Sequence, residues 1–313
     1  MGSRLRRIAF AADLLHDVSD ARPHIVFLLT SPLAPPRMLA GQCRFLMGKG
    51  FRVTVVTAPG PDLEAFGREE GVEVAAVEMA REPSLRADLR SFVGLYKLLR
   101  RLRPDVVEAG TPKAGLLGMA AAWLARVPVR VYTLHGLRLE TARGPLRLAL
   151  AAAERLSMRL AHRVLCVSPS LLEHAEELRL LPSGKGTVAA SGSANGVDSS
   201  RFDAAFRRPP GSRVIGFVGR LTRDKGVEEL YTAFCLLRET FPGLKLLLLG
   251  DFEAGDPVGP KVRRAIECDT DVARPGFVDD PAPFYADLDI LALPSYREGL
   301  PGVALEAAAA GRP

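Results

Sequence analysis

The sequence predicts an α/β protein made of two doubly wound parallel sheets, and three observations carry that prediction. Short apolar runs alternate with helical patterns at 24–30, 51–57, 72–77, 105–109, 129–134, 163–168 and 187–191, which implies parallel strands joined by right-handed crossovers. After a turn-forming stretch, the alternation restarts at 214–218, 245–249, 272–277 and 288–293. The 313 residues, 48% of them apolar, exceed what one core usually serves and supply enough material for two. The expected organisation is an extension at 1–23, a first domain at 24–197, a linker at 198–212 and a second domain at 213–313.

Taken in order, the opening residues carry arginines and alanines, but Asp13, Asp17 and Asp20 break any apolar stretch, so no secretory signal is read there. The first strand runs into Ser31-Pro32-Leu33-Ala34-Pro35-Pro36-Arg37, with no glycine before Gly41. A nicotinamide dehydrogenase would need Gly-x-Gly-x-x-Gly at this turn, and that class is disfavoured. Residues 84–103 form a basic amphipathic helix: Leu85, Leu89, Phe92, Val93, Tyr96, Leu99 and Leu102 recur at helical spacing, while Arg86, Arg90, Lys97, Arg100, Arg101 and Arg103 face only Asp88. Its leucine face is expected on the sheet, and its basic face suits an anionic membrane surface. Residues 114–125 are uncharged, but twelve residues between Lys113 and Arg126 fall short of the roughly 20 that a span needs, so a buried helix is expected. His135 follows the strand at 129–134, at the carboxyl edge where such sheets bind ligands. A loop histidine bonded to the backbone fits the pattern equally. Ser191-Gly192-Ser193-Ala194-Asn195-Gly196-Val197-Asp198 and Pro209-Pro210-Gly211-Ser212 supply the linker's turn chemistry.

Cys43, Cys166, Cys235 and Cys268 are scattered without pairing, which argues against a zinc site or disulfide framework and for a reducing compartment. The net charge of +6 is uneven: residues 1–197 carry 27 Lys or Arg against 18 Asp or Glu, and the remainder 15 against 18. No nucleic-acid partner is expected.

The second half holds the chemistry. Val214 to Val218 leads into Gly219-Arg220-Leu221-Thr222-Arg223-Asp224-Lys225-Gly226 and then a helix at 227–240. Arg220 and Lys225 lie five apart across that turn, so a planar fork and a point charge can converge on one diphosphate. Near the end, Asp289 to Leu293 reads as a buried strand, Pro294 to Gly299 as a turn, and 301–310 as a helix opened by proline. Glu298 sits at the strand's carboxyl end and Glu306 two turns into the helix, whose unpaired N–H groups suit a phosphate. Asp269-Thr270-Asp271 has the spacing of a metal pair but falls between a helix and a strand, and is read as a surface turn.

Gly219-Arg220-Leu221 with Lys225-Gly226, and the glutamates 298 and 306, resemble the Gly-Arg-Leu-x3-Lys-Gly and Glu-x7-Glu elements of GT-B retaining glycosyltransferases of family four. Asn195-Gly196-Val197-Asp198 resembles that family's interdomain connection. Thr111 to Gly118 and His135-Gly136-Leu137-Arg138 look like the subgroup that assembles bacterial capsule and lipid-linked glycans. The resemblance implies two Rossmann-like domains facing a cleft, with acceptor on the first and donor on the second. It implies transfer, with retention, from a nucleotide diphosphate sugar, commonly UDP-linked, to a glycan or an undecaprenyl-diphosphate-linked sugar, without metal or other cofactor. It assigns Arg220, Lys225, Glu298 and His135 to catalysis, and Glu306, Gly299, Leu300 and Gly219 to the donor nucleotide and its phosphates. A cytoplasmic protein, peripheral on the inner face of the plasma membrane, is the implied setting.

Two departures stand out. The first loop lacks the family's Gly-Gly turn, which bears on the acceptor side, and Lys113 is open to two readings, an acceptor-phosphate ligand or a solvated residue. Family members also continue past the Glu-x7-Glu helix, whereas this sequence stops at Gly311-Arg312-Pro313. The expectation is a C-terminally truncated second domain, low activity and a tendency to aggregate. The alternatives are a sugar-nucleotide epimerase of the same fold and an inactive sugar-nucleotide-binding remnant.

Overall fold

The computed structural model describes residues 22–80, 84–193, 195–202 and 213–313. The expected extension, except for its last two residues, and most of the expected linker, including Pro209 to Ser212, lie outside the described residues. The chain divides into two compact units, Met1–Asn195 and Gly196–Pro313.

Unit 1 holds seven parallel strands in the order β3-β2-β1-β4-β5-β6-β7: β1 (His24–Leu28), β2 (Arg52–Thr57), β3 (Glu73–Ala76), β4 (Val106–Ala109), β5 (Val129–Leu134), β6 (Arg163–Cys166) and β7 (Gly186–Val188). The chain winds outward from β1 to β3, crosses back to β4 and proceeds to β7, the doubly wound path expected from the alternation. Helices α1 (Pro35–Met38), α2 (Gln42–Gly48), α3 (Pro61–Glu70), α4 (Leu85–Leu102), α5 (Pro112–Leu124), α6 (Gly144–Leu160) and α7 (Pro169–Glu177) make the connections. The apolar strands bury both faces, as parallel sheets require. Phe27, Val53, Val55, Leu63 and Phe66 share one core cluster, while Leu28, Leu95, Leu99, Met119, Tyr132 and Leu134 are almost completely buried elsewhere in the unit.

Unit 2 repeats the scheme with four parallel strands in the order β10-β9-β8-β11: β8 (Arg213–Val218), β9 (Leu244–Leu249), β10 (Val272–Gly276) and β11 (Ile290–Leu291). Helices α8 (Val227–Thr240), α9 (Pro260–Cys268), α10 (Ala282–Tyr285) and α11 (Gly302–Ala309) complete it. Phe217, Phe234, Leu246, Leu248 and Ile266 form one core, and Leu247, Leu249, Tyr285 and Leu288 the other.

Three expectations are corrected. The run at 288–293 is not a buried strand: β11 keeps two residues, Ile290 is 44% exposed, and the strand pairs with β8 alone at the edge of its sheet. In α4 the buried residues are Ser91, Leu95, Leu98 and Leu99, while Leu85 and Leu89 are 92% and 63% exposed. Ser91 enters the interior because its hydroxyl donates to the Glu78 and Ala87 carbonyls. The pair Asp269 and Asp271 is more than a surface turn: Asp269 accepts from the Tyr231 hydroxyl and Arg238, and Asp271 pairs with Lys245.

Helix α5 fits its expectation over Ala114, Gly115, Gly118, Met119, Ala121 and Ala122, which are buried, but Trp123 and Leu124 at its end are exposed. No helix among the described residues is long and apolar enough to cross a membrane.

One buried carboxyl ties α6 to the sheet. Glu154, 6% exposed, accepts from the Tyr132 hydroxyl at 2.9 Å, and burial pushes its pKa up to about 7 against the opposing pull of that bond. A carboxyl raised in the folded state contributes stability that is full below its unfolded pKa and is lost as pH rises through about 7. Urea denaturation is therefore expected to show a loss on the order of 3 kcal/mol between pH 5 and pH 8 that Glu154→Gln removes. Equal pH dependence in both proteins would contradict the assignment.

Candidate functional site

In unit 2 the chain leaves the carboxyl end of β8 and forms a tight strap before α8. Leu221 donates its N–H to Asp251 and Gly226 donates to Arg223. Residues Arg223–Lys225 form a single 3-10 turn. Gly226, at φ 69°, serves as the N-cap of α8, and a Cβ there would overlap the carbonyl oxygen of Pro294. Only glycine lets the strap touch the loop between β11 and α11 this closely.

That contact brings together residues 73 apart in sequence. Lys225 forms an ion pair with Glu298, both half-buried, and Arg297 pairs with Asp224 at 2.8 Å. Asp224 also accepts from the Thr222 hydroxyl. Burial pushes the Asp224 carboxyl up, but the Thr222 bond and the charges of Arg297, Arg220 and Lys225 outweigh it and hold it below the usual carboxylate range. Arg220 turns to Glu253 at 3.0 Å and lies 3.9 Å from Asp224. The expected residues Arg220, Lys225 and Glu298 therefore belong to one charge network at the carboxyl edge of the sheet, together with Asp224, Glu253 and Arg297. Gly219 begins the strap.

Gly299 and Leu300 lead into α11, whose N-cap, Pro301, offers no side-chain acceptor to the first turn. Among the described residues, the Ser295 hydroxyl oxygen and Arg297 Nε are buried side-chain atoms with no hydrogen-bond partner, and both lie in this loop. Orphaned buried polar atoms are rare enough to call for an explanation. Glu306 stands apart from the network. Its carboxylate accepts from the buried Tyr285 hydroxyl at 2.7 Å, and burial, then that carboxylate, raise the Tyr285 pKa.

In unit 1, His135 follows β5 and lines a cavity of about 10 Å³ with Gln42, Glu108, Gly110 and Thr133, room for about one water. Thr133 donates to Glu108 at 2.7 Å. Glu108, a carboxylate in the apolar run Val106 to Ala109, was not singled out from the sequence, although its lone charge in a strand was a visible signal. Lys113 is not a solvated residue: it pairs with Asp88 at 2.7 Å, so the one acid of the basic helix is engaged.

Two family profiles match. Residues 36–192 match the one described as Glycosyl transferase 4-like domain, and residues 212–313 that of Glycosyl transferases group 1. The chain is 31% identical to the capsular polysaccharide biosynthesis glycosyltransferase CapM of Staphylococcus aureus over 87% of its own length and 73% of CapM's. It is 28% identical to the UDP-Gal:alpha-D-GlcNAc-diphosphoundecaprenol alpha-1,3-galactosyltransferase of Escherichia coli, over 75% of this chain and 63% of that one. Among solved structures, Anabaena HepE in complex with UDP-glucose superposes with a TM-score of 0.70 at 21% identity, covering 93% of this chain and 79% of HepE.

Proposed function

The chain belongs to the GT-B glycosyltransferases of family four, of the kind that builds capsule and lipid-linked glycans, and on that premise we propose that unit 2 holds a nucleotide diphosphate sugar on Arg220, Lys225 and the start of α11 for retaining transfer to a glycan or polyprenyl-diphosphate-linked sugar. The observation that carries the reading is the charge network around the Gly219 to Gly226 strap, two cations and Glu298 at the carboxyl edge of a parallel sheet. Bond breaking between the sugar C1 and the phosphate oxygen leaves negative charge on the diphosphate. Fixed cations and helix N–H groups stabilise that charge as it develops. A diphosphate drawn to Lys225 competes with Glu298 for it, and the released carboxylate accepts hydrogen bonds from sugar hydroxyls. Ser295 and Arg297 supply further donors from the same loop, which accounts for their unpartnered atoms. Glu306 takes the ribose through the oxygen not given to Tyr285, and Gly219, Gly299 and Leu300 let backbone approach the nucleotide. The acceptor oxygen bonds to C1 on the face the phosphate leaves and passes its proton to a phosphate oxygen.

The E. coli relative's name supports a UDP sugar as donor and a lipid diphosphate as acceptor. Incubating the chain with labelled UDP-hexoses and a synthetic polyprenyl-diphosphate sugar tests this: a longer lipid-linked glycan with retained anomeric configuration is expected. Isomerised donor without acceptor use would favour an epimerase, and donor binding without turnover a binding protein.

A membrane-facing surface on unit 1 fits that acceptor. Leu85, Leu89 and Val93 stand exposed at four-residue spacing on α4 beside Arg86 and Arg90, and Leu146 and Leu148 are exposed at the start of α6. Apolar side chains ringed by cations suit anionic headgroups, each cation contributing about 1 kcal/mol. Neutralising Arg86, Arg90, Lys97 and Arg100 is expected to weaken binding to phosphatidylglycerol vesicles at least tenfold, and unchanged sedimentation with the vesicles would rule this face out.

A further inference from the structure

At the amino edge of the unit 1 sheet, away from His135, lies a second pocket of about 470 Å³ lined by Arg155, Arg159, Arg179 and Lys185 over the apolar turn at 180–182. Arg130 and Arg163, at the starts of β5 and β6, add charge nearby. None of these six cations takes part in a salt bridge among the described residues.

Helix capping accounts for part of the cluster. Lys185 donates to the carbonyls of Arg159 and Ala161 at 2.7 and 2.6 Å, and Arg130 donates to Leu160 at 2.8 Å, so both close the carboxyl end of α6. Arg155 donates to the carbonyls of Leu178 and Arg179 just past α7. Favourable contact with helix carboxyl ends explains those three positions. It leaves out Arg159 and Arg179, whose guanidinium groups have no hydrogen bond or ion pair among the described residues. The mutual repulsion is visible: burial, then Arg130, Arg159 and Arg163, lower the Lys185 pKa, and burial, then Arg130, Lys185 and Arg163, lower that of His162.

We propose that this pocket is a binding site for a phosphate ester carrying at least two negative charges, held by Arg159 and Arg179 between the pre-positioned Arg155 and Lys185, with its organic part against residues 180–182. The volume lies in the range of small-ligand pockets, and two unengaged guanidinium forks match phosphate oxygens in geometry as well as charge. Ligands that react on doubly wound sheets bind at the carboxyl edge. A phosphate at the amino edge is therefore not the reacting donor. A soluble nucleotide and a lipid headgroup offer the same chemistry here.

The test uses inorganic pyrophosphate, titrated calorimetrically at low ionic strength into the full chain carrying Arg220→Ala and Lys225→Ala, so that unit 2 does not contribute. One site is expected, weakened at least tenfold by adding Arg159→Ala and Arg179→Gly. Arg179 sits at φ 52°, a left-handed position just past α7 where glycine is at ease, so the added pair should keep or raise Tm and a loss of binding is not a loss of fold. Competition by UMP assigns the phosphate to a soluble ester, and competition by vesicles containing phosphatidic acid, a phosphate monoester, assigns it to a headgroup; either supports the site. No pyrophosphate binding in the Arg220→Ala, Lys225→Ala chain, or binding indifferent to Arg159→Ala and Arg179→Gly, would overturn the proposal, whichever way the donor assignment in unit 2 fares.

Discussion

Lys225→Ala and Arg220→Ala are each expected to lower kcat by on the order of 10²-fold, with Tm changed little, because charge developing on the leaving diphosphate then lacks a fixed partner. The two variants should differ in a second respect. Lys225 is the partner of Glu298, so its loss leaves a half-buried carboxylate without a counter-charge beside an incoming diphosphate, and KM should rise along with the fall in kcat. Arg220 is 42% exposed and its partner Glu253 remains partly solvated, so its loss should fall mainly on kcat. Near wild-type turnover in both variants would remove the diphosphate from this strap.

Gly226→Ala is expected to cost about 3 kcal/mol or more of stability and to abolish transfer in whatever protein still folds. Two penalties add: the backbone is left-handed at φ 69°, where alanine is strained, and the new Cβ meets the Pro294 carbonyl. Relief requires the loop carrying Ser295, Arg297 and Glu298 to move away from the strap carrying Asp224 and Lys225. A variant that melts like the wild type and transfers normally would show that this close approach is not what holds the site. Gly250→Ala is a useful comparison, since a Cβ there would overlap the Gly219 carbonyl and displace the start of the same strap from β9 without touching Pro294.

Much of the architecture was legible in the sequence because parallel sheets write themselves as separate apolar runs, and helix α8 falls at the expected residues, Val227–Thr240. The strap was legible for a related reason: its glycines and cations are contiguous, so spacing along the chain is also spacing in space. What the sequence did not show depends on distant neighbours. In α4, periodicity offered a leucine stripe, yet the buried face contains Ser91 because two carbonyls satisfy its hydroxyl. Lys113 reads as a lone cation until Asp88, 25 residues earlier, is seen beside it. Asp224 stood inside the quoted strap and Arg297 in the turn at 294–299 without being singled out, since their ion pair exists only when β11 is laid against β8. Glu306 gained a partner, Tyr285, from a helix whose position no local pattern announces.

The account turns on the claim that the strap of unit 2 is where a nucleoside diphosphate binds. The direct measurement is the UDP-induced rise in Tm of the wild-type chain, of Lys225→Ala, and of the Arg159→Ala, Arg179→Gly pair. A rise in the wild type that persists in the arginine pair and falls sharply in Lys225→Ala, where only the unit 1 pocket still takes a phosphate, is the predicted result. A rise of equal size in Lys225→Ala would contradict the central claim.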